Sequence, residues 1–231
     1  MIIAISQRRI QEYSGADVLE ASYPKFFCKL GVNLIPIPND PENAIKFLSN
    51  FKIDGIILSG GGDVQPILYG GNVEIEGNYA PERDATEKIL IETALKNNIP
   101  LLGICRGLQS INVYFGGKII QSLEKDFKGS INHRNTRHMI TISDMSIKSE
   151  LGKDQFEINS YHNLGLDNSC IAPDLIAFAL APDNSIEGVY HPQYRIAGIM
   201  WHPERETEPS ILNDLLVNAF LKREYFWKYL R

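Results

Sequence analysis

The chain has 231 residues, of which 44% are hydrophobic. That is enough to bury a sizeable core, and it predicts one large α/β domain over residues 1–231. The formal net charge of −5 offers no basic face of the kind that general nucleic-acid binding needs. No apolar run reaches transmembrane length, and Met1 to Ser6 is too short for a signal-peptide core. Three scattered cysteines without a CxxC pair argue against a disulfide framework. The expectation is a cytoplasmic chain with neither membrane nor nucleic acid as partner.

Ile2 to Ile5 predicts a strand, and Val18 to Leu30 has helical spacing, with Cys28 expected as a small buried hydrophobe. Asn33 to Pro38 predicts a second strand and Ala44 to Leu48 a helix. Gly55 to Leu58 is continuously apolar, as in a strand buried on both faces. It runs into Ser59-Gly60-Gly61-Gly62-Asp63. Glycines at the carboxyl end of a parallel strand let a ligand approach the backbone closely, and open α/β sheets bind ligands at that edge. A phosphate loop would continue into Gly-Lys-Ser/Thr, and this one does not. Asp84 to Lys96 predicts the next helix.

The apolar run Ile99-Pro100-Leu101-Leu102 then leads into Gly103-Ile104-Cys105-Arg106-Gly107 and a helical pattern through Leu108, Ile111 and Phe115. Gly-x-Cys-x-Gly between strand and helix is the nucleophile-elbow pattern with cysteine as the reactive residue. The turn lifts the sulfur into a cleft, and the helix N-terminus behind it favours negative charge there.

After Gly117 the rhythm changes. Met139 to Ile142, Leu175 to Leu180, Ile186 to Tyr190 and Arg195 to Met200 predict strands, mostly separated by short turns that favour antiparallel pairing. Pro209 to Leu230 predicts a terminal helix, and Cys170 is expected to be buried. The fold expected is a three-layer α/β architecture. A mostly parallel central sheet is flanked by helices, with a smaller antiparallel sheet in the C-terminal third.

Three further segments bear on the elbow. Met200-Trp201-His202-Pro203-Glu204 places His202 and Glu204 two residues apart beyond a strand, so that both can face one cleft. An imidazole there can take the Cys105 proton while the carboxylate holds its other nitrogen. Glu157 to Asn163 is polar and compact, either a solvated turn or a binding segment. His133-Arg134-Asn135-Thr136-Arg137-His138 is the largest basic cluster, either a solvated loop or a contact for an anionic group. The five histidines show no metal-ligand spacing, so no metal is expected.

Elbow, glycine loop and His-Pro-Glu, in that order, resemble the class I glutamine amidotransferase-like enzymes, whose fold is flavodoxin-like. Leu58 to Pro66 with Tyr69-Gly70 resembles the GGGDVxPxxYG segment of the gamma-glutamyl hydrolase branch, the cysteine peptidases that include gamma-glutamyl-gamma-aminobutyrate hydrolase. Arg83-Asp84 with Glu87, Gly103 to Asn112, Gly116-Gly117, Asn159 to Asn163 and Met200 to Glu204 extend the likeness over nearly the whole chain.

The resemblance implies a Cys105-His202-Glu204 triad and an oxyanion hole from backbone at Gly61 and Arg106. It implies substrate contacts at Gly60, Gly62, Gln109, Asn159, Ser160, Tyr161 and His162, to which the basic cluster adds Arg134 and Arg137. Two departures stand on the side that would receive the leaving half of the substrate. Asn163-Leu164-Gly165 lacks the glutamine common in that branch, and Tyr69 to Arg83 is short.

The reaction implied is hydrolysis of a small gamma-glutamyl amide through a glutamyl thioester, without a cofactor and with a homodimer as an allowed assembly. Candidate leaving groups are gamma-aminobutyrate, other polyamine-derived acids, a folate polyglutamate tail or a nucleotide phosphoramidate. The rivals are a glutaminase subunit that passes ammonia to a synthetase, and a non-catalytic binding protein of the same fold.

Overall fold

The computed structural model describes residues 1–11, 15–225 and 227. Eleven strands are β1 (Ile2–Ser6), β2 (Arg8–Ile10), β3 (Ala16–Val18), β4 (Asn33–Ile37), β5 (Gly55–Leu58), β6 (Leu101–Ile104), β7 (Thr136–Ile142), β8 (Gln155–Ser160), β9 (Ile176–Leu180), β10 (Ile186–Tyr190) and β11 (Ile196–Ile199). The seven α-helices among the described residues are α1 (Ser22–Phe27), α2 (Pro41–Ser49), α3 (Pro81–Asn97), α4 (Arg106–Tyr114), α5 (Leu123–Asp126), α6 (Met145–Leu151) and α7 (Ile211–Leu221).

One sheet runs in the order β4-β1-β5-β6-β11-β10-β9-β7-β8. From β4 to β11 all neighbours are parallel, and from β11 onward they are antiparallel. The antiparallel strands of the C-terminal third therefore continue the central sheet. The separate small antiparallel sheet is the β2–β3 ribbon near the N-terminus.

Alternation along the parallel strands builds the layers. On β1, Ile3 and Ile5 join one apolar cluster with Tyr23 and Phe27 of α1 and Leu212, Leu216 and Phe220 of α7. Ala4 between them joins another, with Ala44 and Leu48 of α2, Leu90 and Ile91 of α3, and Leu108 and Ile111 of α4. Both faces are covered, as continuous apolar strands require. Each fully buried Ile or Leu in them stabilises the fold by about 1.5–3 kcal/mol.

Several elements start or stop away from their expected bounds, each for a local reason. Helices α2 and α3 begin earlier than periodicity indicates, because Pro41 and Pro81 occupy first-turn positions where a missing N–H costs nothing. Asp40 also caps α2 by accepting from the Asn43 N–H. The expected helix from Val18 to Leu30 is divided. Val18 ends the ribbon, α1 stops at Phe27, and Cys28–Leu30 tighten into a 3-10 turn. That change of pitch rotates Cys28 to an exposed position, and Cys170 is only half-buried in its loop, so neither is the buried hydrophobe expected. The terminal helix closes at Leu221, and residues 226 and 228–230 of the expected span lie outside the described residues. No described helix is long and apolar enough to cross a membrane.

Close approach of α4 to β5 and β6 sets the height of the elbow. A Cβ on Gly107 would stand 2.2 Å from the Leu58 carbonyl oxygen, and one on Gly103 would stand 2.5 Å from the Gly107 backbone. Gly107→Ala should therefore cost about 3 kcal/mol or more, read as a lowered midpoint in urea unfolding, because backbone must move to admit the methyl. An unchanged midpoint would mean that helix and strand are not in contact.

Candidate active site

Three parallel strands deliver the central residues at their carboxyl ends. Strand β5 runs into Ser59-Gly60-Gly61, β6 into Cys105, and β11 into Met200-Trp201-His202. Cys105 has φ +53° and ψ −106°, a region that side-chain-bearing residues rarely occupy. The turn is held by α4 on one side and by the Cys105 N–H, which donates to the Ile199 carbonyl at 2.7 Å, on the other.

The structure brings Cys105, His202 and Glu204 together. His202 Nδ1 lies 2.6 Å from Glu204 Oε1, and the His202 ring is close enough to Cys105 for the sulfur to act on its charge. Burial disfavours a charged imidazole here. The hydrogen bonds and charges of Cys105 and Glu204 outweigh it and raise the His202 pKa to about 9. The imidazole is thus held protonated beside the sulfur at neutral pH. A Cβ on Gly60 would stand 2.7 Å from His202 Cε1, so only glycine lets the loop pass this close to the ring.

Asn159, on β8, clamps the His202 backbone from both sides. Its Oδ1 accepts from the His202 N–H at 2.8 Å, and its Nδ2 donates to the His202 carbonyl at 2.8 Å. Tyr161 meets the His202 ring edge-on, with centroids 5.6 Å apart. The Arg205 guanidinium lies 4.7 Å over the Tyr161 ring and makes two hydrogen bonds to Glu20.

Beneath the elbow lies a charged network that sequence reading noted only as a likeness. Glu87 Oε1 accepts from Arg83 Nε at 2.8 Å and Ser6 Oγ at 2.9 Å, and its Oε2 accepts from Ser110 Oγ at 2.6 Å and Arg106 Nη1 at 2.5 Å. Arg106 Nη2 also donates to Asp84. Burial opposes charge on Glu87, yet the two guanidinium groups and the two hydroxyls bring its pKa down to about 2. Arg83 also donates to the Ser59, Gly60 and Gly61 carbonyls. With those oxygens drawn down to one cation, the loop's amide edge is turned the opposite way. The Gly60 N–H donates to Tyr23 Oη at 2.8 Å. Tyr23 is a residue that sequence reasoning missed, because a tyrosine on an apolar helix face carries no local signal of such a contact. Burial, with the nearby Glu204 and Cys105, keeps its phenol well above its ordinary pKa and hence neutral.

A cleft of about 730 Å³ opens over the sulfur. Gly61, Gly62, Gln109, Arg134, Tyr161 and His162 line it together with Cys105 and His202. Arg106 opens α4, where first-turn N–H groups have no intrahelical acceptor. Four expected substrate contacts are not among the lining residues. Gly60 lies beneath, against His202. Asn159 is spent on the His202 backbone, and Ser160 Oγ donates to the His133 carbonyl. Arg137 sits on β7 rather than in a loop, opposite Asn159, and pairs with Glu157 and Glu206. Gln109 Nε2 donates to the Leu164 carbonyl at 3.1 Å, tying α4 to the segment after β8.

The peptidase C26 family model matches residues 2–204. The gamma-glutamyl-CDP-amidate hydrolase of Campylobacter jejuni is 35% identical over 210 residues, covering 89% of this chain and 91% of that protein. The gamma-glutamyl-gamma-aminobutyrate hydrolase of Escherichia coli O157:H7 is 32% identical over 185 residues, covering 74% and 71%. A glutamine amidotransferase from Thermotoga maritima superposes with a TM-score of 0.57 at 14% identity, covering 96% of this chain and 92% of that one. At that identity the likeness is one of fold.

Glu87→Gln should cost about 3–5 kcal/mol, since it leaves two buried guanidinium groups without their shared counter-charge. Because the folded pKa is depressed, Glu87 contributes stability above its ordinary range near 4.5 that is lost as pH falls toward 2. Urea unfolding across pH should show that acid-side loss in the parent chain and not in the variant. Equal stability of the two chains at pH 7 would remove the network from its supporting role.

Proposed function

The chain belongs to the peptidase C26 family, and we propose that it cleaves a gamma-glutamyl amide with Cys105 as nucleophile, His202 as acid and base, and Glu204 as the group that orients and charges His202. The observation that carries this reading is the His202 ring, bridged between the Cys105 sulfur and the Glu204 carboxylate and held protonated by both. It is a cysteine-dependent hydrolase of the kind named among its relatives.

The Cys105 thiolate attacks the delta-carbonyl carbon. The oxyanion that forms is met by backbone N–H groups at Gly61 and Arg106, kept in place by the Arg83–Glu87–Arg106 network beneath. Collapse breaks the C–N bond as His202 gives its proton to the leaving nitrogen. The neutral His202 then takes a proton from water, whose oxygen attacks the thioester. Glutamate leaves, and the thiolate–imidazolium pair is restored. No cofactor enters any step.

Arg8, Lys125, Arg134 and Arg205 stand around the cleft together with Glu20, Asp63 and Glu76, and Arg134, exposed beside Glu124, is the cation that supports a leaving half carrying phosphate. The extent of likeness to the gamma-glutamyl-CDP-amidate hydrolase supports the same choice over gamma-aminobutyrate.

The purified chain alone should release glutamate from gamma-glutamyl amides, and Cys105→Ala should abolish release while leaving the fold intact. Activity that requires an added synthetase would favour a glutaminase subunit instead. kcat/KM should fall above about pH 9 as His202 loses its proton. Glu204→Gln should move that alkaline limb to lower pH, because the carboxylate is part of what raises His202. A limb unmoved by Glu204→Gln would remove Glu204 from the triad.

Arg134→Ala should raise KM for a phosphate-bearing gamma-glutamyl substrate by about tenfold or more, the worth of one charge-assisted contact, with kcat little changed. Arg137→Ala should leave both constants unchanged, since its guanidinium lies outside the cleft and is paired on the surface. Identical kinetics of Arg134→Ala and the parent chain on phosphorylated and plain substrates would leave the leaving group neutral or singly charged.

A further inference from the structure

Behind the wall of the cleft the structure gathers three of the five histidines, His133 and His138 from one stretch of chain and His162 from another. His133 precedes β7, His138 lies on β7, His162 follows β8, and Glu187 lies on β10. One ligand atom from each lies within 4.8 Å of the others. Glu187 is fully buried, and His133 and His162 are 3% and 6% exposed.

The outward nitrogen of each ring is already engaged. His133 Nε2 lies 2.9 Å from Asp183 Oδ2, and His138 Nδ1 lies 3.1 Å from the Met139 carbonyl. His162 Nδ1 lies 3.1 Å from the Leu164 carbonyl. Carbonyls and an ionised carboxylate only accept, so each of these nitrogens is the N–H of its ring. The inward atoms are His133 Nδ1, His138 Nε2 and His162 Nε2, and a metal ion bound by them would displace the proton that Asp183 and Glu187 favour on His133. None has a hydrogen-bond partner among the described residues, nor has either Glu187 oxygen. Three imidazoles and a carboxylate converging in a dry interior need positive charge among them, supplied by a shared proton or by a metal ion.

The spacing distinguishes a metal from shared protons. Glu187 Oε1 is 3.4 Å from His133 Nδ1, 3.4 Å from His162 Nε2 and 3.8 Å from His138 Nε2. These separations are long for hydrogen bonds. They approach the edge of a tetrahedron about 3.3 Å long that zinc–nitrogen and zinc–oxygen bonds of about 2.0 Å generate. The strand register slips between Ile186 and Val189, a bulge of the kind that re-aims a side chain, and Glu187 lies within it. Asp183 behind His133 completes a carboxylate–histidine–metal relay, the usual outer support of such a ligand.

We infer that His133, His138, His162 and Glu187 form a binding site for one divalent transition-metal ion, zinc by ligand type and geometry. Three imidazoles and a carboxylate suit zinc, and four protein ligands leave no open position, so the ion is structural and takes no part in hydrolysis. Its work is to lock the segment that follows β8. His162 is the neighbour of Tyr161, whose ring edge meets His202, so the ion fixes one wall of the cleft.

The test uses the Cys105→Ala chain, which removes a competing thiol–imidazole pair, purified without a metal-affinity tag. The chain is stripped with a chelator and titrated with Co²⁺, then Zn²⁺. One equivalent should bind with the intense visible absorption of tetrahedral cobalt. Zinc should displace it, and the thermal unfolding midpoint should rise with either ion. Glu187→Gln, equal in size, and His138→Gln should lose the band, and Asp183→Asn should bind about 10- to 100-fold more weakly.

X-ray absorption of the zinc-loaded parent chain should report three imidazoles and one oxygen, a readout that needs no variant to fold. A stripped chain that takes up no cobalt, a band that survives Glu187→Gln, or sulfur in the zinc shell would each overturn the assignment. None of these readouts depends on hydrolysis, so the metal site and the proposed reaction stand or fall separately.

Discussion

The site depends first on one buried cluster of opposite charges, Arg83, Glu87 and Arg106. A single carboxylate holds two guanidinium groups, and each guanidinium then fixes a different wall. Arg83 gathers three successive carbonyls of the glycine loop, and Arg106 ties the first residue of α4 to α3 through Glu87 and Asp84. The two segments that would meet the developing oxyanion are therefore referenced to the same carboxylate. Burying these charges is costly, and replacing such clusters with apolar groups is often neutral or stabilising elsewhere. The cost is understandable here because apolar packing could not draw three carbonyls to one side of a loop.

Above that floor, His202 is controlled from four directions. Cys105 and Glu204 set its proton, Asn159 sets its backbone, and Tyr161 closes on its ring edge. The strain at Cys105, with φ +53°, is sustained by neighbours that leave the turn no room to relax. Gly103 and Gly107 are packed against backbone, and the Cys105 N–H is held by β11. Strain of this kind persists only where the surroundings over-determine it, as they do here.

The parallel half of the fold and the grouping of Cys105, His202 and Glu204 are legible in the sequence because their signals are local. Gly55 to Leu58 is too apolar for any but a doubly covered strand, and Gly-x-Cys-x-Gly and His-Pro-Glu each carry their geometry within five residues. What is not legible depends on partners distant in the chain. The three-residue strands of the β2–β3 ribbon are too short to show a period. Asn159 reads as a substrate contact because its segment is polar. Only the pairing of β7 with β8 turns its amide toward His202. Arg134 and Arg137 read as one basic loop until β7 begins between them at Thr136 and commits Arg137 to Glu157 and Glu206. His133 and His138 are close in sequence, but only tertiary pairing brings His162 and Glu187 to them.

That pairing also explains why the antiparallel strands matter to a site built on parallel ones. In the sheet order β8 is the far edge, four strands beyond β11, yet Asn159 of β8 bonds the backbone of His202 just after β11. The antiparallel half must curl so that its edge returns over the end of the parallel half. Glu187 of β10 faces His138 of β7 and the histidines that flank β7 and β8. The same bend that brings Asn159 to His202 brings three imidazoles to one carboxylate, and whatever holds the second arrangement helps to hold the first.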